Sequence, residues 1–319
     1  VFNIDKFVLF IIGVVILAYC FPQLGSPSSP IPLDTIGSVG VSLIFFFYGL
    51  KLSPEKIQAG LQNWKLHSLI QLSTFLFFPL LMLLCYPLVH NTSYQALWLS
   101  FLFLAALPST VSSSVVMVSI AKGNLPAAIF NASISGLIGI VITPLWMGLF
   151  LQQSGGDFDL SVVYIKLIAE ILLPVGLGLF LQKYLGALAV RYGKQMTSFD
   201  KTIILLIIFK SFATSFENKV FSTVGLDELL LVSVGAIAVF YVMYYLTSWL
   251  SAYLGFSLED QITAQFCGTK KSLVHGVVFS KILFPVSFPV GMILLPLMLF
   301  HAFQIFVVSI AASKLAQRD

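Results

Sequence analysis

Pro108-Ser109-Thr110-Val111-Ser112-Ser113-Ser114 and Cys267-Gly268-Thr269-Lys270-Lys271-Ser272 are polar interruptions in two stretches otherwise apolar enough to cross a membrane. Displaced by 159 residues without a gap, the first stretch lays Thr110 on Thr269 and Ser113 on Ser272, and the same shift lays Lys122 on Lys281 and Pro126 on Pro285. The displacement is close to half of the 319 residues, which suggests one unit used twice. Polar breaks at matching places in the two halves of a membrane chain point to a transporter's binding site.

The composition around these breaks fits a membrane. The chain is 58% hydrophobic and 9% charged, whereas soluble domains carry about 25% charged residues, so a water-soluble fold is excluded. The net charge of +4 is spread over the chain without a basic tract, so nucleic acid is not an expected partner. Cys20, Cys85 and Cys267 lie in apolar segments without metal-ligand spacing; they read as buried, inert thiols, with no metal site and no disulfide framework. The first apolar segment runs into Cys20-Phe21-Pro22-Gln23 instead of a small-residue cleavage site, so it reads as a retained membrane helix. No nucleophile constellation, phosphate loop or His/Cys/Asp cluster calls for an enzyme or a cofactor.

Stretches of about 20 apolar residues fall near 7–23, 33–51, 66–89, 95–121, 126–151, 161–184, 199–216, 227–254, 258–282 and 286–313. The expected fold is therefore an all-α integral membrane protein of ten transmembrane helices in contact with the lipid bilayer. Breakers such as Gly25-Ser26-Pro27-Ser28-Ser29-Pro30 and Ser154-Gly155-Gly156 connect the spans. A cytoplasmic N-terminus puts Lys6, Lys51, Lys56, Lys65, Lys122, Lys183, Arg191, Lys194, Lys201, Lys314 and Arg318 inside. It leaves Lys219 and Lys281 outside, with Asp157 and Asp159 in the loop after span five. Cytoplasmic loops collect Lys and Arg, so both termini are expected inside. Five spans per half is an odd number, so residues 1–151 and 161–319 are expected to form two five-helix repeats of inverted topology.

Five segments carry a resemblance to a known family: Ile44–Leu52, Leu107–Val116, Gly123-Asn124-Leu125-Pro126 with its continuation to Ser133, Thr143-Pro144, and Phe266–Leu273. In order and spacing they resemble the bile acid:sodium symporter family, solute carrier family 10. The likeness is to its SBF-like branch, which holds the seventh human member and many bacterial proteins, and a bacterial inner membrane is the expected location. The resemblance implies a panel of spans 1, 2, 6 and 7 and a core of spans 3–5 and 8–10, with spans four and nine unwound where they cross. Sodium-coupled members carry an acidic residue at the span-nine crossing, shared by two sodium sites. Here that neighbourhood reads Gln265-Phe266-Cys267-Gly268-Thr269-Lys270-Lys271, without a carboxylate. Ser114 matches the family's serine, but Val115 stands where the family has asparagine, and Ala128 and Ala132 stand where span five supplies hydroxyls. Asn131 and Ser133 are near that site, and either Gln71 or Thr74 matches the family's glutamine.

The residue chemistry of the breaks agrees with a site. Unwound backbone is tolerated at membrane depth only inside protein or beside a watery cavity. Pro108 removes a donor and disfavours helix at Leu107, and the hydroxyls of Ser109, Thr110, Ser112, Ser113 and Ser114 can serve the freed groups. Lys270 and Lys271 are the sharper signal, because an intramembrane lysine is costly and functional by default. Thr269, Ser272 and His275 flank them. Lys166 and Glu170, spaced i,i+4, read as a helix-surface pair, and His301 with Gln304 as packed polar residues. The leading reading is a secondary carrier of a small organic anion, with a lysine at the crossing acting as tethered cation or proton carrier. Sodium stays a candidate coupling ion whose usual ligands are missing. The other readings are a conventional sodium-coupled symporter and a non-transporting membrane regulator. The substrate's identity and the oligomeric state are not written in the chain.

Overall fold

The computed structural model describes residues 6–25, 29, 31–52, 63–92, 94–110, 112–151, 160–219, 225–284, 288 and 290–318. Lys56, Ser154–Gly156, Asp157, Asp159, Pro285 and most of the 25–30 breaker lie outside these residues. In chain order the helices are α1 (Lys6–Cys20), α2 (Leu33–Lys51), α3 (Trp64–Leu72), α4 (Phe78–Val89), α5 (Gln95–Ala106), α6 (Ser112–Ile120) and α7 (Leu125–Leu151). They continue as α8 (Leu160–Leu167), α9 (Leu173–Arg191), α10 (Gly193–Glu217), α11 (Leu226–Tyr253), α12 (Leu258–Gly268), α13 (Leu273–Leu283) and α14 (Val290–Ala316). No strand occurs among the described residues. Six helical stretches there are long and apolar enough to cross a membrane: Leu33–Lys51, Trp64–Val89, Leu125–Leu151, Ser161–Arg191, Asp227–Tyr253 and Val290–Ala316. Their outward faces are apolar, with Leu84 75%, Phe180 75% and Val190 86% exposed. In water such a surface would drive association, whereas lipid accommodates it.

The chain divides into two compact units. One comprises residues 1–53, 156–225 and 277–292. In it α2 lies along α9 at backbone distance: a Cβ on Gly49 would strike the Val175 carbonyl, and one on Gly178 the Phe46 carbonyl. Small residues let membrane helices approach closely enough for dispersion to hold them. Polar contacts in this unit include Lys51 with Asp200 at 3.7 Å and Lys210 with the Asp34 carboxylate. Lys281 lies near the C-terminal end of α13, where it donates to the Asp34 carbonyl at 3.0 Å and to Ser38 Oγ at 2.6 Å.

The other unit comprises residues 54–155, 226–276 and 293–319 and holds both predicted breaks. Helix α5 stops at Ala106 and the chain is helical again from Ser112; α12 stops at Gly268 and α13 begins at Leu273. Phe240, Phe300 and Phe78 form edge-on pairs in its core.

Two π-helical turns have one cause. Ser73–Phe77 joins α3 to α4, and Ile168–Leu172 joins α8 to α9. Each is followed, one residue on, by a proline, Pro79 or Pro174. A proline has no N–H to give and its ring clashes with the carbonyl four residues back, so the backbone widens to the i→i+5 register. Phe78 N–H accordingly reaches the Ser73 carbonyl, and Leu173 N–H that of Ile168. The wider turn alters the face on which Glu170 sits, and no ion pair joins it to Lys166 among the described residues, contrary to the i,i+4 expectation. Cys20 and Cys85, expected to be buried, are exposed on their helices, while Cys267 is buried.

Candidate functional site

The two breaks free backbone groups inside the protein, and a buried backbone group needs a partner. At the first break the last carbonyls of α5 have lost the amides of a next turn. The Ala106 carbonyl accepts from Thr143 Oγ1 at 2.7 Å. The carbonyls of Ala105 and Leu107 accept from Lys271 Nζ at 2.6 and 2.9 Å. A third carbonyl on the same ammonium, that of Thr74 at 2.7 Å, comes from the first π turn. In that register its helical partner would be residue 79, which is a proline and has no N–H to offer. The neighbouring Phe75 carbonyl, four residues before Pro79, is served by Trp146 Nε1 at 2.8 Å.

Lys271 is thus held in a cage of three carbonyls, with the Phe78 ring 4.1 Å from Nζ. Three acceptors match the three donors of an ammonium. Two of them belong to the C-terminal end of α5, the negative pole of that helix. Such a set of hard oxygens is also what a small metal cation takes; here a tethered cation fills it. The Lys271 peptide is clamped as well, since its N–H donates to Gln304 Oε1 at 2.8 Å and its carbonyl accepts from Gln304 Nε2 at 2.8 Å. Gln304 Nε2 also lies 2.9 Å from His301 Nδ1.

The breaks bind each other directly. Ser272 N–H donates to the Pro108 carbonyl at 2.9 Å, and Ser109 Oγ donates to the Cys267 carbonyl at 2.5 Å. Ser109 N–H is taken by Ser135 Oγ at 3.0 Å. Gly139 leaves room for Pro108, whose ring would lie 2.9 Å from a Cβ there.

Lys270 is placed differently. It is fully buried, and among the described residues its one hydrogen bond is a 3.4 Å donation to Ser113 Oγ in the first turn of α6. Ser113 Oγ donates to Thr110 Oγ1 at 3.0 Å, and Thr110 Oγ1 lies 2.7 Å from Ser114 Oγ. One chain of hydroxyls therefore starts at the Lys270 ammonium.

The structure brings Thr110, Ser113, Ser114, Lys270, Lys271 and Ser272 together. The side chain of Ser112 lies outside the described residues. Thr269 Oγ1 turns back on its own helix, donating to the Gln265 carbonyl at 2.6 Å. His275 Nδ1 meets Ser272 Oγ at 2.9 Å. Gln71 and Asn131 form a separate cluster: Gln71 Nε2 donates to Asn131 Oδ1 at 3.0 Å, and Asn131 Nδ2 lies 2.7 Å from His67 Nδ1. Sequence reasoning missed the three carbonyls, Phe78, Thr143 and His67, and set Gln304 aside. Pro79 was the available signal for the Thr74 carbonyl; nothing in the chain announced the others. Among the described residues no three His, Cys, Asp or Glu side chains are grouped to hold a metal ion.

Residues 5–317 match the model of the SBF-like CPA transporter family. "Putative symporter YfeH" of Escherichia coli K12 is 36% identical over 312 residues, which cover 98% of this chain and 92% of that protein. An uncharacterized protein of Pseudomonas aeruginosa is 37% identical, covering 98% of this chain and 93% of its own. "Sodium/bile acid cotransporter 7" of Danio rerio is 30% identical over 94% of this chain and 91% of that one.

Proposed function

The chain belongs to the SBF-like CPA transporter family, and on that ground we propose that it carries an organic anion across a membrane by alternating access, without conventional sodium coupling. The observation that carries this reading is the Lys271 ammonium in its cage of three carbonyls, at a crossing that has no carboxylate. A sodium ion about 4 Å from that ammonium would be repelled by roughly 4 kcal/mol at an effective dielectric of about 20. The lysine supplies instead the positive charge that a bound ion would contribute, and it moves with the protein. Neutralising an anionic substrate then needs no ion gradient at this position.

The rest of the reading follows the family's form. Ten spans in two inverted five-helix repeats, with both termini cytoplasmic, place the crossing near the bilayer midplane, where inverted-repeat carriers bind their cargo. The chain is an integral membrane protein, and two of the three relatives above are named as a putative symporter and a cotransporter. Bile acids, which appear in the name of the Danio rerio relative, are one class to test among organic anions. The decisive experiment is a thermal-shift screen of purified protein against organic anions, bile acids included, in sodium and in choline buffers. Stabilisation of equal size in both buffers supports the reading, and stabilisation confined to sodium overturns it.

A further inference from the structure

The two adjacent lysines stand at opposite electrical poles of the first break. Lys271 reaches back to the C-terminal carbonyls of α5, where a cation is favoured, and all three of its donors are used. Lys270 reaches forward to the first turn of α6, at Ser113. A helix N-terminus carries about half a positive charge, so an ammonium there faces repulsion from the very pole it touches.

Among the described residues no ion pair offsets this. Lys270 is 0% exposed, its only hydrogen bond among the described residues is the long one to Ser113, and no salt bridge reaches it. Burying a charge is costly unless it is paired and hydrogen-bonded. A desolvated ammonium, free donors on that ammonium, a helix N-terminus and the hydroxyls of Ser113, Thr110 and Ser114 therefore converge on one spot that calls for negative charge. Helix α6 has nine residues, enough for its N-terminal pole to count.

We infer that Lys270 is the seat of the transported anion's charged group, taking a singly charged oxyanion, carboxylate or sulfonate, between its ammonium, Ser113 and the first turn of α6. Lys271 is the permanent internal cation of the crossing and does not exchange partners during transport. The inference rests on the anion-carrier reading and sharpens it to one residue and one charge class. A single negative charge matches the ammonium; a phosphate dianion would leave a buried net negative charge. Ser113 and Thr110 accept or donate as required, so they suit an oxyanion without selecting the rest of the molecule.

Because the seat reads the charged head, small probes suffice. Melting of the purified full-length protein is measured with millimolar acetate, benzoate, methanesulfonate and benzenesulfonate, with benzamide as the uncharged control. Wild type is expected to be stabilised by the anions and unaffected by benzamide; the carboxylate and sulfonate arms tell which head group fits better. Lys270→Met is expected to melt at or above wild type without anion, since an unmet charge is removed, and to bind the best probe at least tenfold more weakly. Lys270→Arg keeps the charge and is expected to stay within about threefold, and it serves as the folded control should the methionine variant fail to fold. Anion stabilisation that survives in Lys270→Met overturns the seat and leaves the anion-carrier reading standing. A wild type indifferent to all four anions overturns the seat, and the screen in sodium and choline buffers then decides the anion-carrier reading separately. Lys270→Met melting several degrees below wild type without anion also overturns the seat, because it would make Lys270 a structural residue.

Discussion

Replacing Lys271 by methionine keeps an unbranched apolar stem and removes the ammonium. The carbonyls of Thr74, Ala105 and Leu107, now held at 2.7, 2.6 and 2.9 Å, lose that partner. A buried polar group left unpaired costs about 1–3 kcal/mol, so the three together cost roughly 3–9 kcal/mol. The lost contact with Phe78 adds up to about 2 kcal/mol, the scale of a desolvated cation–π pair. Relief from burying an ion offsets several kcal/mol of this. The net expectation is a destabilisation of about 2–4 kcal/mol, or a melting temperature lower by roughly 4–16 °C at the 2–4 °C per kcal/mol of a large domain. The crossing carries its own reporter. Cys267 is buried beside it, while Cys20 and Cys85 are exposed, so a Cys20→Ser, Cys85→Ser background leaves one thiol of the three. Its reaction with a thiol-reactive fluorophore on heating reads the opening of the crossing directly. An unchanged or raised melting temperature in Lys271→Met would refute the cage, since the buried charge would then cost more than the three bonds return.

Other consequences follow from the same geometry. Pro79→Ala restores an amide that can serve the Thr74 carbonyl, so the Lys271→Met penalty is expected to shrink by about 1 kcal/mol in that background; a double-mutant cycle additive within about 0.3–0.5 kcal/mol would contradict this. Gln304→Leu strips the Lys271 peptide of both side-chain partners; at about 1–3 kcal/mol for each buried group left unpaired, the loss should appear in the same melt, and a wild-type melting temperature counts against the clamp. Gly178→Ala forces a Cβ against the Phe46 carbonyl, an overpacking worth about 1–3 kcal/mol; chromatography and melting of the purified variant should show it, whereas an unperturbed variant would mean that α2 and α9 can part at little cost.

How far the chain announced its structure differs from element to element. The apolar stretches were legible because every lipid-facing backbone group must be satisfied within its own helix, which forces long uninterrupted runs. The gaps at residues 107–110 and 269–272 were legible for the converse reason: hydroxyls, glycine, proline and lysine have no use in a regular lipid-facing helix. The partners of Lys281 were not legible, because Asp34 and Ser38 lie on α2 more than 240 residues earlier. The pair of Lys166 and Glu170 failed because the i,i+4 rule assumes an α register that Pro174 disrupts.

The division of the site ran along a similar line. That two adjacent lysines interrupt an apolar stretch, without a carboxylate beside them, is a property of the chain alone, since residue types and their order are fixed before folding. Which lysine is spent and which is free could not be read there. They are neighbours in sequence with the same chemistry, and they differ only in what their ends reach: carbonyls 197, 166 and 164 residues away for Lys271, and a serine 157 residues away for Lys270. Backbone carbonyls carry no residue-type signature, and a helix pole exists only once the helix has stopped in the right place. Tertiary structure alone therefore set one ammonium at the negative end of α5 and left the other at the positive end of α6.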